Sequence, residues 1–313
     1  MDNIAVLFPG QGAQYIGMGK DFYDNFPSAR EVFQKGDEAL DMSISELIFE
    51  GSEEELVKTE ITQPAVLLTS IAIFEALKEK GIFPKTVAGL SLGEYSALVA
   101  ADALSLEDAL PLVQKRGRYM QEAVSSEKGA MAAVMGMERD LVENICREAS
   151  DYGLVQPANY NCPGQIVISG EKEAVYRAME LARESGAQKI IELNVSAPFH
   201  CGLMDPVQEK LFQELEKVNI REAKVPLVTN VSAQYISKPK QIEESLVKQV
   251  SNAVKWEDSI NKMIDDGLEV FIEVGPGKVL TGFMKKISKE VLPFSIGSVD
   301  SLQKLEEKLG KED

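Results

Sequence analysis

The sequence is short of basic residues and of cysteine, and each shortage excludes a class of protein. Its 33 lysines and arginines are outnumbered by 50 acidic residues, which gives 313 residues a net charge of −17. Nucleic acids and anionic membranes need clustered positive charge, so neither is expected as a partner. The three cysteines, Cys146, Cys162 and Cys201, lack the paired spacing of a disulfide framework or a zinc site. We expect buried free thiols, as in a reducing cytoplasm.

No secretion signal is expected at the start of this sequence. Its longest N-terminal apolar stretch, Ile4–Phe8, is too short for a signal peptide and runs directly into Pro9 and Gly10. This predicts a cytoplasmic protein. Apolar residues make up 44% of the chain and charged residues 27%, the balance of an ordinary folded protein.

Short apolar runs alternate with longer amphipathic ones, which is typical of parallel strands joined by helices. Strands are predicted at 4–8, 86–89 and 268–274, and helices at 63–80, 94–101 and 106–124. Between residues 129 and 194 the order becomes strand, helix, strand, strand, helix, strand, which is the ferredoxin-like order. We therefore predict a large α/β domain at 1–126 and 197–313, with a ferredoxin-like small domain inserted at 127–196.

A candidate nucleophile lies in the sequence GLSLG, residues 89–93, between a predicted strand and a predicted helix. In that context a G-x-S-x-G pattern predicts a nucleophile elbow, a turn too tight for side chains at its glycines. Ser91 would then project at a helix N-terminus, where backbone N–H groups favour an anionic intermediate. A serine without chemistry in a Gly-rich turn is the alternative.

A serine hydroxyl needs a base, and His200 is the only histidine in the chain. A lone histidine is more often structural, but its pairing with the elbow favours catalysis. The ordinary hydrolase order places the histidine near the chain end, whereas residues 201–313 follow this one. No acidic residue stands out as a third member, so we expect a backbone carbonyl or an amide to orient the imidazole.

The predicted helix 106–124 carries an arginine on its apolar face. Arg116 falls beside Val113 and Met120 on that face. Because a buried unpaired guanidinium is costly and its fork matches a carboxylate, Arg116 should meet an internal Asp or Glu, or the carboxylate of a ligand. The residues alone leave both open.

The segment Gly10-Gln11-Gly12 follows the first predicted strand. It lacks the third glycine of a dinucleotide loop, because Tyr15 occupies that place, and it has no P-loop signature. Such a loop can instead line an active site, with Gln11 close to the nucleophile.

Eight motifs together resemble the malonyl-CoA:acyl carrier protein transacylases of bacterial fatty acid synthesis, relatives of polyketide synthase acyltransferase domains. The resemblance implies an α/β-hydrolase-like core with a ferredoxin-like insert, malonyl-CoA as substrate, acyl carrier protein as partner, no cofactor or metal, and a monomer. The motifs are FPGQGAQ (8–14), ITQPA (61–65), GLSLGEYSAL (89–98), QKRGRYMQ (114–121), NYNCPGQIVISG (159–170), PFHCGLM (198–204), QVSNAVKW (249–256) and EVGPGKVLTGF (273–283).

The resemblance also implies a role for several residues. Ser91 would be acylated, His200 would be the general base, and Arg116 would bind the free carboxylate of malonate. The N–H groups of Gln11 and Leu92 would form an oxyanion hole. The backbone carbonyl at Gln249 would hold the histidine.

Further residues are expected near the substrate or its carrier. Met120 and Phe199 are candidate substrate contacts, and Phe199 resembles polyketide domains that prefer malonyl over methylmalonyl groups. Leu90 departs from the common pattern, in which a histidine precedes the nucleophile. The paired Lys285 and Lys286, in an otherwise acidic chain, form a candidate docking surface for acyl carrier protein.

Three alternatives remain for the function. A thioesterase or esterase would use the same serine and histidine with water as acceptor. A trans-acting polyketide acyltransferase would share the chemistry but serve another pathway. A non-catalytic scaffold would only bind acyl carrier protein.

Overall fold

The computed structural model describes residues 3–125 and 127–310 and contains two β-sheets. The strands are β1 (Ile4–Phe8), β2 (Thr86–Gly89), β3 (Gly129–Met135), β4 (Val155–Cys162), β5 (Gln165–Glu171), β6 (Lys189–Glu192), β7 (Leu227–Val228), β8 (Tyr235–Ile236), β9 (Val270–Val274) and β10 (Leu292–Ile296).

Fourteen α-helices connect and cover these strands in the described chain. They are α1 (Lys20–Asn25), α2 (Pro27–Leu40), α3 (Ile44–Glu50), α4 (Glu53–Leu56), α5 (Thr59–Glu79), α6 (Gly93–Ala100), α7 (Leu106–Ala123), α8 (Arg139–Ala149), α9 (Lys172–Glu184), α10 (Asp205–Leu215), α11 (Pro239–Gln249), α12 (Trp256–Asp265), α13 (Val279–Ile287) and α14 (Val299–Leu309). Two short 3₁₀ turns lie at Ser150–Tyr152 and Gly202–Met204.

The first sheet has the strand order β10-β9-β1-β2-β7-β8 and is parallel except where β8 pairs with β7. Its central strand β1 is buried along its whole length, as expected for an apolar run covered on both faces. Phe8 pairs with Gly89, so β1 and β2 end side by side. This register brings the loop after β1 and the turn after β2 to the same edge of the sheet.

The second sheet has the order β4-β5-β3-β6, and all of its pairings are antiparallel. Alternate residues of β3 belong to different cores. Ala130 and Ala132 pack with α8 and α9, whereas Met131 and Ala133 join the large core beneath the first sheet. The prediction of a mixed α/β chain is confirmed, with one mainly parallel sheet and a second, antiparallel one.

Helix α5 is buried along most of its length. By length and composition alone it could cross a membrane, but 83% of the qualifying window is buried inside the protein. A core helix passes the same test. It packs against α2 and α7.

The predicted start of α5 at Gln63 is wrong, because the helix begins at Thr59 and contains Pro64. Its first turn is held by the hydroxyl of Thr62, which donates to the carbonyl oxygen of Leu56 at 2.5 Å. Thr59 is fully buried, so tertiary packing extends the helix beyond the point that the proline suggests. Pro64 removes one N–H from the helix without ending it.

Candidate active site

The turn after β2 adopts a strained conformation that exposes Ser91. The backbone of Ser91 has φ of 52°, a region that non-glycine residues rarely occupy. A Cβ added at Gly89 would lie 1.9 Å from the carbonyl of Gly93, and one added at Gly93 would lie 2.1 Å from the carbonyl oxygen of Phe8. Only glycine fits at either end of the turn, as the G-x-S-x-G interpretation requires.

Asn230, just after β7, holds this turn in place. Its Oδ1 accepts a hydrogen bond from the Ser91 N–H at 2.6 Å, and its Nδ2 donates to the Gly89 carbonyl at 2.7 Å. Asn230 is fully buried. A strained turn persists only when its surroundings over-determine it, and the two bonds to Asn230 do so here.

The structure brings Ser91 and His200 into direct contact. Ser91 Oγ lies 2.7 Å from His200 Nε2. On the other side of the ring, His200 Nδ1 lies 2.8 Å from the carbonyl oxygen of Gln249. Because a carbonyl only accepts, Nδ1 carries the proton and Nε2 presents its lone pair to the Ser91 hydroxyl. The imidazole is therefore oriented by a backbone carbonyl rather than by an acid.

The imidazole of His200 is set up to act as a neutral base. Its burial, together with the positive charge of Arg116, lowers the pKa of His200 to about 4. The ring is therefore unprotonated at neutral pH and able to take a proton from Ser91.

Arg116 is buried against neutral acceptors only. Its Nη1 donates to Gln63 Oε1 at 2.8 Å, and its Nη2 donates to Gln249 Oε1 at 2.9 Å and to Ser91 Oγ at 3.2 Å. Among residues 3–125 and 127–310, no carboxylate lies within salt-bridge distance of it and its Nε has no partner. Among the described residues the guanidinium therefore has no acidic partner in direct contact, and its Nη2 lies beside the serine. Of the two partners expected from the sequence, this geometry favours a ligand carboxylate.

A cavity of about 610 Å³ opens above these groups, a size typical of small-molecule sites. Gln249 does not line the cavity, but it is hydrogen-bonded to Arg116 and His200, which do. In the described chain neither the N–H of Gln11 nor that of Leu92 donates to a protein acceptor, so both are free for a ligand. The predicted site residues that line the cavity are Gln11, Ser91, Leu92, Arg116, Met120, Phe199 and His200.

The predicted lysine pair lies outside the cavity. Lys285 and Lys286 are exposed in the last turn of α13, whereas Val279 and Phe283 of the same helix line the cavity. Lys286 Nζ donates to Gln165 Oε1 at 3.1 Å. The pair is therefore beside the opening rather than in it. No cluster of three or more metal-ligating side chains occurs in the described residues.

Three residues that touch this centre were not predicted from the sequence: Gln63, Glu94 and Asn230. Gln63 lies in the ITQPA motif and Glu94 in GLSLGEYSAL, so the motifs contain them without indicating what they bind. Asn230 lies in no motif. Its partner Ser91 is 139 residues away in sequence, so no local pattern could reveal the contact.

A serine at a strand-to-helix turn, paired with a neutral histidine and facing free backbone N–H groups, defines an acyl-transfer site of the serine type. Residues 6–306 match the acyl transferase domain family, so this chain belongs to that family. The prediction of an acyltransferase is confirmed.

Closer relatives agree with the resemblance seen in the motifs. The chain is 49% identical over 304 residues to a malonyl CoA-acyl carrier protein transacylase of Bacillus subtilis, covering 97% of this chain and 96% of that one. The structure of the Clostridium perfringens transacylase of the same name superposes with a TM-score of 0.96 at 46% identity, covering 99% and 98% of the two chains. A malonyl-transacylase in complex with its type II PKS acyl-carrier protein gives 0.95 at 39% identity, covering 98% and 100%.

The low pKa of His200 predicts the pH dependence of Ser91 reactivity. A small sulfonyl fluoride, which labels activated serines, should react at a rate that stays constant from pH 8 to 5 and falls with an apparent pKa near 4, as the base becomes protonated. Circular dichroism at each pH would check that the fold persists. An apparent pKa near the ordinary histidine value of about 6.5 would contradict the assignment of a buried neutral base.

Proposed function

We propose that this protein transfers the malonyl group of malonyl-CoA to the phosphopantetheine thiol of an acyl carrier protein, and so supplies malonyl groups for fatty acid synthesis. The observation that carries the proposal is the buried guanidinium of Arg116, without an acidic partner in the described chain and 3.2 Å from Ser91 Oγ. A carboxylate bound there would place the acyl carbonyl of malonate against the serine. The names of the relatives in Bacillus subtilis and Clostridium perfringens support the same substrate and acceptor.

The first half-reaction acylates Ser91. His200 Nε2 takes the hydroxyl proton while Oγ attacks the thioester carbonyl, and the N–H groups of Gln11 and Leu92 stabilise the tetrahedral anion. Collapse breaks the C–S bond, and the departing CoA sulfur receives the proton from His200. A malonyl ester remains on Ser91 and His200 is neutral again.

The second half-reaction moves the malonyl group to the carrier. The thiol of phosphopantetheine gives its proton to His200, and its sulfur attacks the ester carbonyl. The C–O bond to Ser91 then breaks, and Oγ regains the proton from His200. No cofactor or metal takes part in either half, since both need only a nucleophile, a base and an oxyanion hole.

Substrate choice follows from the cavity walls. A malonyl carboxylate would complete the donors of Arg116 as a bidentate partner, whereas an acetyl group would leave the buried charge unpaired. Met120 and Phe199 form an apolar part of the cavity wall. The ring of Phe199 would crowd an α-methyl group and so favour malonyl over methylmalonyl.

The alternatives differ in acceptor rather than in nucleophile. A hydrolase would use the same contact of Ser91 with His200, and a scaffold would have no need of it. The relative solved with a type II PKS acyl-carrier protein shows that similar enzymes also serve polyketide synthesis. We favour fatty acid synthesis because the eight sequence motifs resemble the transacylases of that pathway.

We also infer a two-domain organisation, with a hydrolase-like domain at 1–126 and 197–313 and a ferredoxin-like domain at 127–196. The strand order β4-β5-β3-β6 with two helices on one face supports the ferredoxin-like interpretation. A separate apolar cluster whose buried members lie between residues 130 and 182 supports the domain boundary. The buried, unbridged cysteines support a cytoplasmic location, and a monomer remains the expectation for the assembly.

Intact-mass measurement tests the transfer directly. Brief exposure to malonyl-CoA should add one malonyl group to the wild type and none to Ser91→Ala, and addition of holo acyl carrier protein should move that group to the carrier. Loss of the group to water at the same rate with or without carrier would favour a hydrolase. A wild type that never gains the group would favour the scaffold.

Docking near α13 is tested by charge reversal. Replacing Lys285 and Lys286 by Glu should raise the KM for acyl carrier protein about tenfold, because two favourable charges become repulsive, while the KM for malonyl-CoA changes little. The matched control is Lys238→Glu with Lys240→Glu, an exposed pair at the start of α11, neither of which lines the cavity. Equal effects of the two pairs, or none from either, would place the docking surface elsewhere.

A further inference from the structure

Glu94, in the first turn of α6, is a fully buried carboxylate that the proposed reaction does not use. Its Oε2 accepts hydrogen bonds from Gln249 Nε2 at 2.8 Å and from the Asn230 N–H at 3.0 Å. Its Oε1 accepts a longer one from Ser245 Oγ at 3.4 Å. No lysine or arginine lies within salt-bridge distance of it in the described parts of the chain. All its contacts are therefore hydrogen bonds to uncharged donors.

The first of these contacts fixes which way the amide of Gln249 faces. Its Nε2 has two neighbours that only accept, the Glu94 carboxylate and the Ser91 carbonyl at 3.0 Å. Its Oε1 therefore faces Arg116 Nη2, which only donates. Without an acceptor at Glu94, Gln249 Nε2 would keep only its hydrogen bond to the Ser91 carbonyl. If the amide of Gln249 then rotated by 180°, its N–H donors would face the buried guanidinium of Arg116, which also only donates.

The second contact reaches the nucleophile. Glu94 holds the backbone N–H of Asn230, whose side chain holds both the N–H of Ser91 and the carbonyl of Gly89. One carboxylate oxygen thus supports both the residue that positions Arg116 and the residue that positions Ser91.

We propose that Glu94 is a positioning residue of the acyl-transfer site: its Oε2, acting as a shared acceptor for Gln249 and Asn230, aligns the guanidinium of Arg116 with Ser91. This inference rests on the proposed function, because its test measures the preference for malonyl-CoA over acetyl-CoA. What Glu94 must provide is an acceptor oxygen at the Oε2 position, not a negative charge. Burial raises the pKa of Glu94 to about 7, while its hydrogen bonds and the charge of Arg116 act in the opposite direction.

Two substitutions separate the acceptor from the charge. Glu94→Gln keeps an oxygen at the Oε2 position and turns its NH₂ toward Ser245 Oγ, which can accept, so every contact survives without the charge. Glu94→Asp keeps the charge but withdraws the oxygens by one methylene. Rates of Ser91 acylation by malonyl-CoA and by acetyl-CoA would be measured for both, with thermal unfolding as a check on folding.

We expect Glu94→Gln to stay within about threefold of the wild type in rate and in preference for malonyl. Glu94→Asp should acylate on the order of 100-fold more slowly, the effect of a displacement near 1 Å, and lose most of its malonyl preference. Ser245→Ala, which removes the remaining contact of Glu94, is the matched control and should behave as the wild type. A Gln variant as impaired as the Asp variant, or an Asp variant with unaltered rate and preference, would overturn the inference.

Gln249→Met tests the inference independently of any change at Glu94. It removes the amide through which Glu94 acts but leaves the backbone carbonyl that accepts from His200. It should lose malonyl preference like Glu94→Asp, and an unaltered preference would overturn the inference even if the Asp variant folds poorly. Sulfonyl fluoride labelling of Ser91 separates this failure from that of the proposed function. If the wild type is labelled but not malonylated, the proposed function fails, and slower labelling of the Asp variant than of the Gln variant still tests Glu94.

Discussion

The positive charge of Arg116 is buried beside the nucleophile, and within the described chain its side-chain hydrogen bonds go only to uncharged acceptors. Such a group costs several kcal/mol to desolvate, so the fold must surround it with oriented dipoles. The amide oxygens of Gln63 on α5 and Gln249 at the end of α11 meet this need. The packing of α5 against α7, the end of α11 and the turn at Ser91 all serve to hold these dipoles at one point.

Gln249 links that charge to the base. Its side chain accepts from Arg116 and its backbone carbonyl accepts from His200 Nδ1, so one residue orients both side chains that the proposed mechanism uses. In the proposed mechanism, this link would keep the carboxylate-binding guanidinium and the proton acceptor aligned with each other while the acyl group is transferred.

Local patterns in the sequence were enough to identify the candidate catalytic side chains that the structure brings together. Glycine spacing predicted the turn at Ser91, and the presence of a single histidine indicated His200 as the base. Helical periodicity predicted that Arg116 faces inward. Strands β1 and β2 and helices α6 and α7 were also predicted, whereas β7 and α11 were not. The start of α5 was misplaced because buried contacts of Thr59 and Thr62 outweigh the signal from Pro64.

The supporting groups could not be predicted in the same way. Gln63 and Asn230 meet their partners across 53 and 139 residues of sequence, and Glu94 looks like an ordinary first-turn acid of a helix. Only the assembled sheet, which ends β1, β2 and β7 at one edge, brings these contacts together. The carbonyl of Gln249 was reached from the sequence only through resemblance, because a backbone group leaves no mark on residue type.

The measurement that tests this account most directly compares malonyl-CoA with acetyl-CoA as acyl donors for wild type, Arg116→Ala and Arg116→Lys. The account predicts a strong malonyl preference in the wild type, little or none in Arg116→Ala, and a partial preference in Arg116→Lys, which keeps a charge without the bidentate fork. An unchanged preference in Arg116→Ala would remove Arg116 from the substrate site and contradict the account.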